Sequence, residues 1–223
     1  MIDWSQIDTV FFDMDGTLLD LHFDNYFWLE HLPKRYTELK QVPHEETLRK
    51  LHQMFEKHQG SLNWYCLDFW SDELGIDIVE LKREVSERIA YRPHVKQFMN
   101  ALHSMGLELA IVTNAHRGSI NLKLEQTDLS HFFDEIICSH DYKAPKEDAL
   151  FWQSLYKDRP FDLNRTVFFD DNEAVLSAAE KFGITHLFSI AQPDSQKALR
   201  AQADYPMVHD FLDLLPPEVR LND

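Results

Sequence analysis

Three short apolar runs in this chain each stop at polar residues capable of chemistry. TVFF (9–12) ends at Asp13-Met14-Asp15-Gly16-Thr17, LELAIV (107–112) at Thr113-Asn114, and TVFF (166–169) at Asp170-Asp171-Asn172. Runs that are apolar on both faces and this short read as buried strands. Glu135–Cys138 and Ile184–Phe188 read the same way. Helical patterns lie between them. Pro93 opens a series Val95, Phe98, Met99, Leu102 and Met105, which Gly106 closes, the expected placing of Pro before and Gly after a helix. Residues 172–182 put Ala174, Val175, Ala178, Ala179 and Phe182 on one face, with Gly183 as the stop. Strands alternating with helices predict a parallel sheet covered by helices on both sides. Parallel strands point one way, so the three polar sets fall along one edge, where open α/β sheets bind ligands.

Residues 18–92 break this rhythm, with no convincing strand. Leu48, Leu51 and Phe55 recur at helical spacing, as do Ile78, Leu81, Val85 and Ile89; Trp64, Leu67, Ser71 and Leu74 predict a further helix. The expected organisation is an α/β, Rossmann-like parallel-sheet core made of residues 1–17 and 93–223, with an inserted helical cap at 18–92.

With 22 Lys+Arg against 38 Asp+Glu among 223 residues, the net charge is −16. Nucleic acid and anionic membranes are poor partners for such a chain, because both are held by clustered Lys and Arg. An anionic substrate would need local offset of the carboxylates, most simply by a bound cation. No apolar run approaches the ~18 residues of a membrane span. MIDWSQIDTV has neither a basic nor an apolar leader region, and two separated cysteines, Cys66 and Cys138, suit a reducing compartment. A cytoplasmic location is expected. The twelve histidines form no zinc spacing; His44-Glu45 opens like H-E-x-x-H, but Leu48 stands where the second His belongs.

Taken singly, each strand end has an ordinary reading, since Asp-Gly is common in turns and Asp or Asn often caps a helix. Three together bring four acidic residues, Asp13, Asp15, Asp170 and Asp171, to one edge. Crowded carboxylates are costly unless a cation or proton is shared among them. Oxygen donors favour a hard divalent ion, Mg²⁺ foremost.

Asp13-Met14-Asp15-Gly16-Thr17 resembles the first motif, D-x-D-G-T, of the haloacid dehalogenase-like hydrolases. Thr113 after AIV resembles their second motif, and Asp170-Asp171 after VFF their fourth. The intervening motif supplies a Lys; Lys146 in Ala-Pro-Lys-Glu-Asp matches it better than its rival Lys143. Further stretches are similar to the GMP/IMP 5′-nucleotidases of this superfamily: FDNYFW (23–28), LNWYCLDFW (62–70), TNAH (113–116), KLEQTDL (123–129), PKED (145–148) and DDNEA (170–174). Asn172 is a departure, since many relatives carry Ser after the acidic pair.

The resemblance implies an Mg²⁺-dependent phosphomonoesterase acting on a small-molecule phosphate monoester, a purine nucleotide. Asp13 would be the nucleophile that forms an aspartyl-phosphate, and Asp15 the general acid and base. Asp15 counts for a phosphatase, because the dehalogenase members lack an acid there and need no metal. Thr113, Asn114 and Lys146 would hold the phosphoryl group. Asp13, Asp15 (through its carbonyl), Asp170 and Asp171 would hold the metal. Asn25, Asn63 and Trp64 are cap candidates for contact with the base. Alternatives of the same chemistry are a sugar-phosphate or phosphoglycolate phosphatase and a phosphomutase. A phosphoacceptor signalling module is disfavoured by Asp15 and by the inserted residues 18–92, and a silent binding protein by the complete motif set.

Overall fold

The computed structural model describes residues 2–216. The expected core segments overrun it at both ends, since Met1 and residues 217–223 lie outside the described residues. The sheet is built from β1 (Thr9–Phe12), β2 (Glu108–Thr113), β3 (Glu135–Cys138), β4 (Thr166–Asp170), β5 (His186–Ile190) and β6 (Met207–Val208). All pair in parallel, in the order β3-β2-β1-β4-β5-β6. The chain steps outward from β1 through β2 to β3, then returns to β4 and steps out the other way. The reversal falls between β1 and β4, the position at which doubly wound sheets open a crevice.

Both faces of β1 are covered, which explains why TVFF carries no polar alternation. Val10 and Phe12 join a cluster with Phe98, Met99, Leu102 and Phe169. Phe11 joins the opposite cluster with Trp152, Leu155, Phe168, Val175 and Leu176. In register, Phe12 lies between Ile111 and Phe169, and its ring stacks on that of Phe169 at 5.0 Å.

Between β1 and β2 the chain forms α1 (His22–Tyr26), α2 (Leu32–Lys40), α3 (His44–His58), α4 (Leu62–Tyr65), α5 (Leu67–Leu74), α6 (Ile78–Arg83) and α7 (Val95–Ser104). The first six share an apolar cluster that includes Phe23, Phe27, Leu51, Trp70, Leu74 and Ile78. The chain leaves and returns side by side: Asp20 N–H donates to Ala90 C=O at 2.9 Å and Arg92 N–H to Leu18 C=O at 3.0 Å. The remaining helices are α8 (Arg117–Gln126), α9 (Ala149–Asp158) and α10 (Glu173–Phe182). Among the described residues no helix is long and apolar enough to cross a membrane.

Several expectations shift in detail. β2 runs one residue further than the apolar pattern, so Thr113 is its last residue. β5 starts two residues late, because Gly183 ends α10 at φ +117° and the chain must still cross to the sheet. Pro93 precedes α7 rather than opening it, with His94 at φ 60° between them. The helix expected across Trp64–Leu74 breaks at the extended Cys66 into α4 and α5. The series from Ile78 to Ile89 ends its α-helix at Arg83 and continues as a 3₁₀ turn. Leu51 is buried but Leu48 is 43% exposed, and on α10 Leu176 is buried where Ala174 is exposed. β6, two residues long, has no sequence signal of its own.

Candidate active site

The β1, β2 and β4 ends are adjacent, so their polar residues meet. Asp13 extends the β1–β4 ladder, its N–H donating to Phe169 C=O at 2.8 Å. This fixes its carboxylate at the sheet edge. Lys146, in the connection to α9, reaches across with its whole side chain buried. Its Nζ donates to Asp13 Oδ1 at 2.6 Å, Asp170 Oδ2 at 2.7 Å and Val112 C=O at 2.9 Å. The turn that carries it is pinned from two sides: Lys146 N–H donates to Asn114 Oδ1 at 2.9 Å, and Trp152 Nε1 donates to Lys146 C=O at 2.8 Å. Lys143, the rival, is exposed and stands at φ 56° just after a 3₁₀ turn.

Asp13, Asp170 and Asp171 offer one carboxylate oxygen each within 4.8 Å of one another. Burial pushes the Asp13 carboxyl up to about 6, with Lys146 pulling against it and Asp170 adding to it. Burial also raises Asp170, against Lys146. Asp171 is driven well above the usual carboxylate range by burial and then by Asp170 and Asp13. For Lys146, burial disfavours the charge, but the two carboxylates outweigh it and hold the ammonium charged. Lys146 and the Arg200 guanidinium, 3.8 Å from Asp171 Oδ2, set two cations against three carboxylates, so these hard oxygen donors still fit a divalent cation. Asn172 N–H donates to Asp170 Oδ1 at 2.8 Å and so orients that carboxylate.

Asp15 turns to the other wall. Its Oδ1 accepts from Lys123 Nζ on α8 at 2.5 Å, and Lys123 also donates to Asp24 Oδ2 on α1 at 2.7 Å. Burial pushes Asp15 up to about 6 despite Lys123, with Asp24 and Asp13 adding to the rise. Burial acts to raise Asp24 as well, but Lys123 and Lys82 outweigh it and hold that carboxyl below the usual range.

Thr113 is buried, with Oγ1 accepting from Ala115 N–H at 3.0 Å. Asn114 Nδ2 donates to Glu147 Oε2 at 2.9 Å, and Tyr65 Oη donates to Glu147 Oε1 at 2.6 Å. Burial first, then Glu147, raises the Tyr65 phenol.

These groups form the floor of one cavity of about 630 Å³, lined by Asp13, Asp15, Thr113, Asn114, Lys146, Asp170 and Asp171. Trp28, Phe55, Trp64, Tyr65 and Trp70 of the helical segment form much of its remaining wall. Of the three expected base contacts, Trp64 and Asn25 line it. The Asn25 amide is already committed to Asp194 Oδ2 at 2.6 Å. Asn63 is exposed and stands outside the wall, because one short turn of α4 sends Trp64 and Tyr65 inward and leaves their neighbour facing solvent. Lys82, Lys123 and Glu147 were assigned no role from the sequence, although Lys123 opens the stretch KLEQTDL and Glu147 falls within PKED, since lone charged residues ordinarily read as solvated. For Lys123 a signal existed: it falls three residues after Ile120, on the buried face of α8.

A six-stranded parallel sheet that gathers Asp-x-Asp, Thr, Lys and Asp-Asp at its central edge, with helices following β1, defines a haloacid dehalogenase-like hydrolase. The sequence profile of that family matches residues 10–188, and the chain belongs to it. GMP/IMP nucleotidase YrfG of Escherichia coli (strain K12) is 38% identical over 215 residues, which cover 96% of this chain and 97% of that protein. The phosphorylated carbohydrates phosphatase of Thermotoga maritima is 26% identical over 227 residues, 97% of each chain. The crystal structure of a HAD phosphatase from Thermococcus onnurineus has the same fold, with a TM-score of 0.76 at 20% identity, covering 93% of this chain and 96% of that one.

Proposed function

We propose that this hydrolase is an Mg²⁺-dependent phosphomonoesterase that removes the 5′-phosphate of purine nucleoside monophosphates, GMP and IMP foremost, with residues 18–92 acting as its cap. The observation that carries this reading is the pair Asp13 and Asp15, two residues apart on one cavity floor, each held by a different buried lysine. One carboxylate can attack while the other serves the leaving group, which a single acid cannot do. The full-length similarity to a GMP/IMP nucleotidase supports the choice of substrate.

In the proposed reaction an Asp13 oxygen attacks phosphorus as the P–O bond to the 5′-oxygen breaks, and Asp15 gives that oxygen its proton. Water then attacks the aspartyl-phosphate. Asp15 takes the proton from the water, the Asp13 carboxylate leaves, and inorganic phosphate is released. Lys146 holds Asp13 in line and offsets charge on the transferred group, and Thr113 and Asn114 provide further donors around it. Asp13, Asp170 and the Asp15 carbonyl would hold the Mg²⁺, with Asp171 beside them; bound there, the ion supplies positive charge to the phosphoryl oxygens.

The floor can recognise only phosphate and its ester oxygen, so selectivity falls to the wall above it. Trp28, Trp64 and Trp70 suit a flat purine better than a short polyol. GMP and IMP share a 6-oxo group and an N1–H that AMP lacks, and a site bonded to that edge leaves buried groups unpaired with AMP. Phosphate release from GMP, IMP, AMP, CMP, UMP, sugar phosphates and phosphoglycolate tests the reading. The expected result is the highest kcat/KM for GMP and IMP. Equal values across the panel would end the nucleotidase assignment, and a preference for sugar phosphates would move it to the activity named for the Thermotoga relative.

A further inference from the structure

Two buried lysines and two half-buried carboxylates run from the cavity floor into the helical segment. Lys123 Nζ bridges Asp15 Oδ1 at 2.5 Å and Asp24 Oδ2 at 2.7 Å. Lys82 Nζ on α6 donates to the other oxygen of Asp24, Oδ1, at 2.5 Å. The Lys123 and Lys82 side chains are 1% and 2% exposed, and Lys82 lies over the rings of Phe23 and Phe27 at 4.9 and 5.0 Å. Two ammonium groups and two carboxylates alternate, so the row is neutral.

Stability is a poor account of such a row. Taking the two lysine ammonium groups out of water is costly, and apolar residues of similar volume often serve a fold as well or better. The row does, however, end on the one acid that must face a leaving oxygen. Among the described residues Lys123 is the side-chain partner of Asp15. Lys123 cannot swing away, because Asp24 holds its Nζ from α1, and Asp24 in turn is gripped on both oxygens. Misplacing a reacting group by about 1 Å can cost about 100-fold in rate, so fixing one carboxylate has a kinetic consequence.

We propose that Lys123 is a positioning residue for Asp15, held in its place from the helical segment by Asp24, so that the acid is aimed only where that segment rests on the sheet edge. The inference rests on the phosphomonoesterase reading. It differs from a merely structural role in one respect: up to the first departure, only an ester whose leaving oxygen needs a proton should suffer. The 5′-oxygen of a nucleotide must be protonated as it leaves, whereas nitrophenolate departs without a proton.

The test compares Lys123→Met with the wild-type chain on GMP and on p-nitrophenyl phosphate, using kcat/KM, which reports events up to the first departure. The account expects a loss of about 100-fold or more on GMP, in the range of general acid catalysis, carried by kcat rather than KM, and a loss on the aryl ester at least about tenfold smaller. Lys123→Arg, which keeps a cation between the two carboxylates, should recover most of the loss on GMP. Should Lys123→Met fail to fold by circular dichroism, Lys123→Gln, which keeps a donor for Asp15 without the charge, is read on the same two esters for the same split. Equal losses on both esters, or no loss on GMP, would overturn the inference while leaving the phosphatase reading intact. A wild-type chain that hydrolyses neither ester would overturn both.

Discussion

Gly16 and Asp171 leave no room for a side chain between them: a Cβ on Gly16 would stand 2.8 Å from Asp171 Cγ and 2.9 Å from its Oδ2. Gly16 also sits at φ +84°, where an L residue is strained. The turn that carries Asp15 away from Asp13 therefore runs directly under the acidic pair after β4.

Gly16→Ala should cost about 1–3 kcal/mol from backbone strain alone, and it should displace Asp171 as well. Thermal unfolding should show the lower stability, and phosphate release should fall at least about tenfold in chains that remain folded. Unchanged activity and melting temperature would mean that the turn can open without consequence.

Lys146 and Lys143 separate cleanly in this structure. Lys146→Met leaves Asp13 and Asp170 facing each other without their shared cation. It should lower kcat by about 10²–10³-fold, the range for loss of one charge-stabilising donor. Lys143→Met, at an exposed position, should stay near wild type. The reverse ranking in a steady-state assay would reassign the lysine.

The Asp13, Asp170 and Asp171 set predicts a metal requirement. EDTA should abolish phosphate release and added Mg²⁺ should restore it. Asp170→Ala should raise the Mg²⁺ concentration for half-maximal activity or abolish activity outright. Full turnover in metal-free buffer would contradict the argument from crowded carboxylates.

Trp64 and Asn63 are neighbours on α4 with different surroundings. Trp64→Ala should raise KM for GMP about 5–150-fold, the equivalent of losing about 1–3 kcal/mol of base stacking. Asn63→Ala should leave KM near wild type. Comparable effects from the two would place the base elsewhere in the cavity.

The legible parts of this protein were those written in short range. VFF before Asp13 and before Asp170 has no polar alternation because Val10 and Phe12 face one layer and Phe11 the other, so both strands and their end residues could be read together. The capping of α10 by Asn172, whose Oδ1 accepts from Ala174 N–H at 3.0 Å, and its end at Gly183 follow from local chemistry. The charged residues that hold Asp24, Asp15 and Tyr65 in place were not legible. Lys82, Lys123 and Glu147 meet their partners Asp24, Asp15 and Tyr65 across 58, 108 and 82 residues of chain, and no local pattern carries such pairings. The break at Cys66 was hidden for a related reason: Trp64 and Leu67 keep helical spacing, but Trp70 Nε1 donates to Trp64 C=O at 2.9 Å, a contact that belongs to a turn between two helices.

The most direct test of the central claim is inorganic phosphate released from GMP by the wild-type chain and by Asp13→Asn, in Mg²⁺, with the fold of both checked by circular dichroism. The amide has the shape of the carboxylate but is no nucleophile, so the account predicts steady turnover by the wild type and none by a folded variant. Sustained turnover by Asp13→Asn, with reversion to Asp excluded by mass spectrometry of the intact chain, would contradict it.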